Sequence, residues 1–281
     1  MVGENLYFCD MKTLKPLLVV AVLCVAALSA RAQNSSAHRS EMLECTVRDS
    51  LRRVLVFAPA DMPSDGEVPL VFVFHGRRGV VEKASRRMCV HELWDDAVVV
   101  YPQGLWATGG VVGAGYGWVM PTADDCGRDI EFFDALLDTL RHRFRIDERR
   151  IYCMGHSNGG GFVQALWSVR GDVFAAVASV HSGTGRMSKR ILDMRRPKPV
   201  FFAGGSSDEI VRYDRVLDAV YSAVELNGCN PKGRKMSEHV RLFRSPDGND
   251  VAAYLHSGGH RFPEEALPHI VEFFRSHPRK R

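Results

Sequence analysis

The chain has 281 residues, 46% hydrophobic and 25% charged, with a formal net charge of +4. That is an ordinary globular composition, and the charge is too small on this length to argue for nucleic acid or another acidic polymer as partner. The length suits one large α/β domain or two small ones, and no internal repeat or low-complexity stretch is visible.

Near the N-terminus, Met11 to Lys15 is a short basic segment, Leu17 to Leu28 is apolar, and Ala30, Arg31 and Ala32 form a small-x-small cleavage pattern. Together they read as a secretory signal peptide starting at Met11, so residues 1–32 are expected to be leader and signal peptide, removed before Gln33. The apolar part is too short for a membrane span, with an anchoring helix as the plain alternative. Cys24 does not suit a lipid anchor, because Val22 and Leu23 before it are bulky. The expected location is secreted or periplasmic, where disulfides persist. Five cysteines then remain, namely Cys45, Cys89, Cys126, Cys153 and Cys229. Five is odd, so at least one stays free; Cys153, on an apolar run, is the expected inert thiol, and the pairing of the other four is open. Their spacing fits no zinc pattern, and nothing calls for a metal or other cofactor.

Residues 33–44 are expected to be a polar, flexible lead-in, with a formal glycosylation sequon at Asn34, Ser35 and Ser36. A single domain over residues 45–281 follows. Thr46 to Asp49 and Arg53 to Ala58 read as two antiparallel strands, and Asp61 to Glu67 as a turn cluster. Val68 to Phe74 is an unbroken apolar run, the mark of a strand buried on both faces, with Pro69 confined to its start. Ala97 to Tyr101 is another such run. Arg128 to Arg145 carries Ile130, Phe133, Leu136, Leu137 and Leu140 at helical spacing. Ile151 to Met154 reads as a buried strand, and an amphipathic helix is expected from about Phe162. Phe174 to Val180 and Pro199 to Ala203 are further strands, with weaker ones at Arg241 to Phe243 and Val251 to Leu255. Helices are expected at Val211 to Leu226 and Glu264 to Ser276. Strands alternating with helices predict an α/β fold with a mostly parallel central sheet flanked by helices.

Between the buried strand and the helix lies Gly155-His156-Ser157-Asn158-Gly159. Strand, tight turn with glycine two residues either side of a serine, then helix, is the layout of a nucleophile elbow. The glycines make room for a strained turn, and the following helix aims its N-terminal amides where negative charge would develop. A serine hydroxyl needs a base, and the base an orienting acid. In such folds the chain order is Ser, Asp or Glu, then His, each just beyond the carboxyl end of a strand. Asp208, after the Pro199 strand and its glycines, is the candidate acid; as a plain alternative it caps the helix that follows. Asp214, Asp218, Asp247 and Asp250 compete but read as solvated surface. His260, after Gly258 and Gly259, is the candidate base, with His256 as a rival that continues the strand. The backbone N–H groups of Asn158 and of Arg77, after Gly76, are the candidate oxyanion donors.

These pieces together resemble the secreted esterases grouped with polyhydroxybutyrate depolymerases, feruloyl esterases and acetylxylan esterases (carbohydrate esterase family 1), within the α/β-hydrolase superfamily. The resemblance runs from about Leu55 to Phe273. It is carried by Val71 to Gly76, Val99 to Gly104, Gly117 and Trp118, Asp129 to Phe133, Ile146 to Tyr152, Gly155 to Gly160, Phe174 to Val177, Ser207 to Val211 and Gly258 to His260. It implies an α/β-hydrolase fold, with Ser157, Asp208 and His260 as triad and the 101–118 segment lining the cleft. His75, His156, Tyr101, Trp106 and Trp118 are then candidate substrate-binding residues, the aromatic ones together with Tyr116 suited to stacking on a sugar or phenolic ring or else to ordinary core and loop packing, and His75 alternatively a plain strand-end histidine. Three features depart from the family: Arg77 and Arg78 follow the His-Gly pair, Phe262 stands where Trp is common, and the usual cysteine partner for the Cys229 region is missing. Arg77 and Arg78, with Arg86 and Arg87 nearby, are solvated surface or a basic rim favouring an anionic or sugar-acid substrate. The function expected is a secreted serine carboxylic-ester hydrolase acting on feruloyl or acetyl esters of plant polysaccharide. Alternatives are a polyhydroxybutyrate-type depolymerase, a serine peptidase of the superfamily, or a non-catalytic binding protein. The partner expected is an ester substrate, carbohydrate- or hydroxyacid-linked, with no nucleic acid and no stable membrane anchor.

Overall fold

Apolar runs buried on both faces build the middle of a ten-stranded sheet. The computed structural model describes residues 37–108, 113–122, 127–184 and 187–280. The strands in chain order are β1 (His38–Val47), β2 (Ser50–Pro59), β3 (Val68–Phe74), β4 (Val98–Pro102), β5 (Leu105–Ala107), β6 (Gly115–Gly117), β7 (Ile146–His156), β8 (Ala176–Val180), β9 (Val200–Gly205), β10 (Arg234–Lys235), β11 (Val240–Phe243) and β12 (Val251–His256). The order across the large sheet is β1-β2-β4-β3-β7-β8-β9-β12-β11-β10, and β5 and β6 form a separate hairpin. The six middle strands, from β4 to β12, run parallel. Antiparallel pairs finish both edges.

Helices cover both faces, as a parallel sheet requires. They are α1 (Val81–Arg87), α2 (Arg128–Arg143), α3 (Asn158–Arg170), α4 (Lys189–Leu192), α5 (Tyr213–Leu226) and α6 (Leu267–Ser276). Alternation along β3 divides the core. Leu70, Phe72 and Phe74 join α2 and α3 through Phe133 and Phe162, whereas Val71 and Val73 join α1 and α6 through Val81 and Phe274. Truncating a ring such as Phe72, fully buried, to alanine costs about 3–5 kcal/mol.

The expected fold class is therefore observed, with local differences. Of the lead-in expected over residues 33–44, residues 33–36 lie outside the described residues, and His38–Val47 is instead a strand paired along its whole length with β2. It is an edge strand with one solvated face, so its polar residues imitate a loop. The helix expected from Phe162 begins at Asn158 and is buried almost all round, not amphipathic. The 81–87 helix and the β5–β6 hairpin had no sequence signal. Asp250, expected on the surface, is 2% exposed and bonded to Arg244 and His277. Cys45, Cys89, Cys153 and Cys229 are all free, which removes any pairing among the three described candidates. The signal segment, the sequon and Cys126 lie outside the described residues.

The topology gathers chemistry at one edge. His75 follows β3, Ser157 follows β7, His181 follows β8, Asp208 lies beyond β9, and His260 beyond β12. Because these strands are parallel, all five residues meet at the carboxyl ends, where open α/β sheets bind ligands.

Candidate active site

Ser157 sits on the turn between β7 and α3 with φ 55° and ψ −117°, a left-handed conformation that costs energy outside glycine. Its glycine neighbours are sterically required. A Cβ at Gly155 would lie 2.4 Å from the Gly159 carbonyl, and one at Gly159 would lie 2.2 Å from the Phe74 oxygen. The elbow can therefore pack on β3 only with hydrogen at both positions.

From this turn the Ser157 hydroxyl lies 2.7 Å from His260 Nε2. His260 Nδ1 in turn lies 2.7 Å from Asp208 Oδ2. The other oxygen of Asp208 accepts the Ile210 and Val211 amides, both at 2.8 Å. Burial would raise the Asp208 carboxyl, but donors from His181, Val211, His260 and Ile210 outweigh it and bring it down to about 2. Asp208 is thus ionised at neutral pH and can orient an imidazole that takes a proton from the hydroxyl. The three residues read from the sequence are brought together, and the rival His256 does not reach Ser157.

The loop after β3 lies directly on the elbow. A Cβ at Gly76 would be 3.3 Å from the His156 oxygen and 3.4 Å from Ser157 Cβ. Arg78 N–H donates to the Tyr116 oxygen and Gly79 N–H to the Gly76 oxygen, whereas among the described residues the Arg77 and Asn158 amides have no backbone acceptor. Two open amides beside a serine suit an oxyanion.

The substrate-binding candidates separate on burial. Trp106 is 58% exposed and packs edge-to-face with Tyr116 across the β5–β6 hairpin. His156 lines the cavity beside Ser157 and donates from Nε2 to the His260 carbonyl at 2.8 Å. Burial, then the neighbouring His260, lowers it to about 3, so it is neutral. Tyr101 and Trp118 do not present a face for stacking. Tyr101 is fully buried, its hydroxyl donating to the Met88 carbonyl and meeting His91 Nδ1. Trp118 stacks on Phe162 in the core and donates its indole N–H to the His75 carbonyl. His75 is enclosed with both ring nitrogens occupied: Nδ1 donates to the Gly76 carbonyl, and Nε2 accepts the Gly104 amide. It ties two loops together, and burial lowers it to about 4.

Three contributors were not seen in the sequence. His181 is fully buried, and its Nδ1 lies 2.7 Å from the same Asp208 oxygen that meets His260. The Asn158 side chain grips the Trp118 backbone through both its carbonyl and its amide, at 2.7 and 3.0 Å. Asp129, buried, accepts the Val119 amide and pairs at 2.8 Å with the buried Arg52, whose guanidinium lies over the Phe132 ring. Among the described residues, His181, Asp208 and His260 are the group whose ligand atoms fall within 4.8 Å of one another, as a metal would need. Hydrogen bonds already account for that geometry, since the carboxylate takes a donor from each ring.

No family model matches the chain. Among curated proteins it is 25% identical over 241 residues to a putative esterase, NocK, of Nocardia uniformis subsp. tsuyamanensis, covering 72% of this chain and 67% of that protein. It is 25% identical to feruloyl esterase B of Piromyces equi, covering 74% of this chain but only 42% of the relative. With a probable feruloyl esterase C of Aspergillus terreus the identity is 25%, over 89% of this chain and 92% of the relative. Among solved structures, an acetyl xylan esterase from Aspergillus awamori superposes with a TM-score of 0.64 at 13% identity, covering 84% of this chain and 99% of that one. A ferulic acid esterase gives 0.58 at 16% identity over 84% and 96%. The chain has the α/β-hydrolase fold, single-domain over the described residues. The relatives and neighbours named above are esterases, and the resemblance to feruloyl and acetylxylan esterases is borne out.

Proposed function

We propose that this protein is a serine carboxylic-ester hydrolase working through an acyl-enzyme. The observation that carries the reading is the unbroken run of two 2.7 Å contacts from Ser157 through His260 to Asp208. In this mechanism His260 Nε2 takes the Ser157 proton as the hydroxyl oxygen attacks the ester carbonyl. The Arg77 and Asn158 amides hold the oxyanion, and Asp208 steadies the imidazolium. His260 then protonates the departing alcohol, and water, activated by the same base, cleaves the acyl-enzyme and frees Ser157.

The substrate class best supported is an acetyl or hydroxycinnamoyl ester on a polysaccharide, by analogy with the relatives. Trp106 and Tyr116 do not line the cavity at Ser157, but they are exposed on the β5–β6 hairpin, where the Tyr116 carbonyl accepts the Arg78 amide, and offer a stacking surface for a sugar or phenolic ring. The reading includes export of the chain through its 1–32 segment, with residues 45–281 in the catalytic domain. Among the described residues no helix is long and apolar enough to cross a membrane.

A fluorophosphonate probe tests the assignment at residue level. Peptide mapping is expected to place the adduct on Ser157, with labelling lost in His260→Ala. A folded chain that takes no label, or takes it elsewhere, contradicts the proposal.

A further inference from the structure

The cavity that opens on Ser157 carries a charge pattern that ester cleavage alone does not use. Its volume is about 370 Å³, and it runs from Ser157 and His260 across α1. Val80, Ala84 and Met88, each one helical turn from the next, give it an apolar floor, and Phe262 adds a wall. Lys83 and Arg87, also one turn apart, stand beside that floor, and Arg78 adds a third cation from the loop after β3. Among the described residues, no aspartate or glutamate lines the cavity.

These charges are poorly compensated. Lys83 has no ion pair among the described residues, and Arg78 Nε donates to a neutral acceptor, the Ala114 carbonyl, at 3.2 Å. Arg87 has Glu264 at 4.0 Å, with both side chains about half exposed, a geometry worth little. Arg77 also lines the cavity, and its guanidinium likewise donates to a neutral acceptor, the Gly115 carbonyl, at 3.2 Å. Like charges gathered over an apolar surface repel one another and attract an anion whose body can cover that surface.

We propose that this cavity receives an anionic part of the substrate, so that the preferred esters carry a second, ionised acid group on an apolar or aromatic body. This rests on the ester-hydrolase reading and names its substrate class. Monoesters of dicarboxylic acids, with the charge on the acyl side, and esters of acid-bearing phenols, with the charge on the leaving side, share the required chemistry.

Two matched pairs test it: mono(4-nitrophenyl) glutarate against 4-nitrophenyl butyrate, and 4-acetoxybenzoate against its methyl ester. At low ionic strength the anionic member of at least one pair is expected to show the higher kcat/KM, and that pair tells which side bears the charge. The preference is expected to shrink toward one in about 0.5 M salt, where the screening length is a few ångströms. Lys83→Ala and Arg87→Ala, both at exposed positions, are each expected to lower the anionic-to-neutral ratio about fivefold, and Lys83→Glu to lower it further. Hydrolysis of the neutral esters with ratios at or below one in both pairs overturns the inference and leaves the ester reading intact. Turnover of none of the four esters by folded protein overturns the ester reading, and the inference with it.

Discussion

His181 Nδ1 and Asp208 Oδ2 lie 2.7 Å apart, so the carboxylate that faces His260 is held from behind by a second, fully buried histidine. His256 Nδ1 accepts the Gly258 amide and its Nε2 lies 3.1 Å from His181 Nε2. With both rings neutral, His256 then donates from Nε2, and His181 donates from Nδ1 to Asp208. Burial, the largest influence on His181, lowers its basicity despite the carboxylate beside it. His181 is therefore a positioning residue for the acid. His181→Ala is expected to lower kcat about tenfold with KM little changed, the loss of one hydrogen bond to a charged group. His181→Asn, whose amide can reach the same oxygen, is expected to recover most of it. Equal kcat in wild type and His181→Ala removes the role.

The elbow is a steric lock between β7, α3 and β3. Gly159→Ala would place a methyl 2.2 Å from the Phe74 carbonyl oxygen, and backbone cannot yield as a flexible side chain does. The expected loss is about 3 kcal/mol or more in urea unfolding, with activity lost as Ser157 is displaced. A variant as stable as the parent would show that the elbow packs differently.

Arg52 and Asp129 are both essentially inaccessible, and Asp129 accepts the amide of Val119, the neighbour of Trp118. Arg52→Ala leaves Asp129 with only the partly exposed Arg128, 3.7 Å away, as counter-charge, so unfolding is expected to become easier by about 3 kcal/mol. Arg52→Met with Asp129→Asn, which removes both charges, is expected to be milder than Arg52→Ala. The reverse ranking contradicts the argument.

Buried neutral histidines give the fold an acid weakness. His75, 2% exposed, is lowered from 6.5 to about 4, mainly by burial. The unfolded chain therefore takes up the proton first, and stability present above pH 6.5 is lost as pH falls toward 4. His75 alone accounts for about 2 kcal/mol between pH 7 and 5. His156, lowered to about 3, acts in the same direction. Chemical unfolding at stepped pH checks the sign: a flat stability profile over that range contradicts the assignment of neutral buried rings.

Ser157 and Asp208 were legible because each follows a strong apolar strand, and His260, after a weaker one, because two glycines precede it and it completes the chain order the chemistry needs. The same rule, a polar residue at the carboxyl end of a buried strand, picks out His181 after β8, where the signal was present and unused. Burial of Tyr101 and Trp118 was not legible, since an aromatic in a glycine-rich stretch reads alike whether it faces a cleft or the core. Only the packing of Trp118 against Phe162, far along the chain, separates the two. The 81–87 helix was missed because two short turns offer too little periodicity to count, yet with its caps Val80 and Met88 it supplies the floor and two cations of the cavity. The free cysteines depended on distances that spacing along the chain does not carry.

The central claim is that Ser157 forms an acyl-enzyme, and pre-steady-state hydrolysis of 4-nitrophenyl acetate tests it most directly. The wild-type chain is expected to release a burst of nitrophenolate stoichiometric with enzyme, leaving an acetyl group on Ser157 detectable by mass. Ser157→Ala, in which only an oxygen is lost, is expected to stay folded, show no burst and lose at least about 10³-fold in turnover. A burst and undiminished turnover in folded Ser157→Ala would contradict the account.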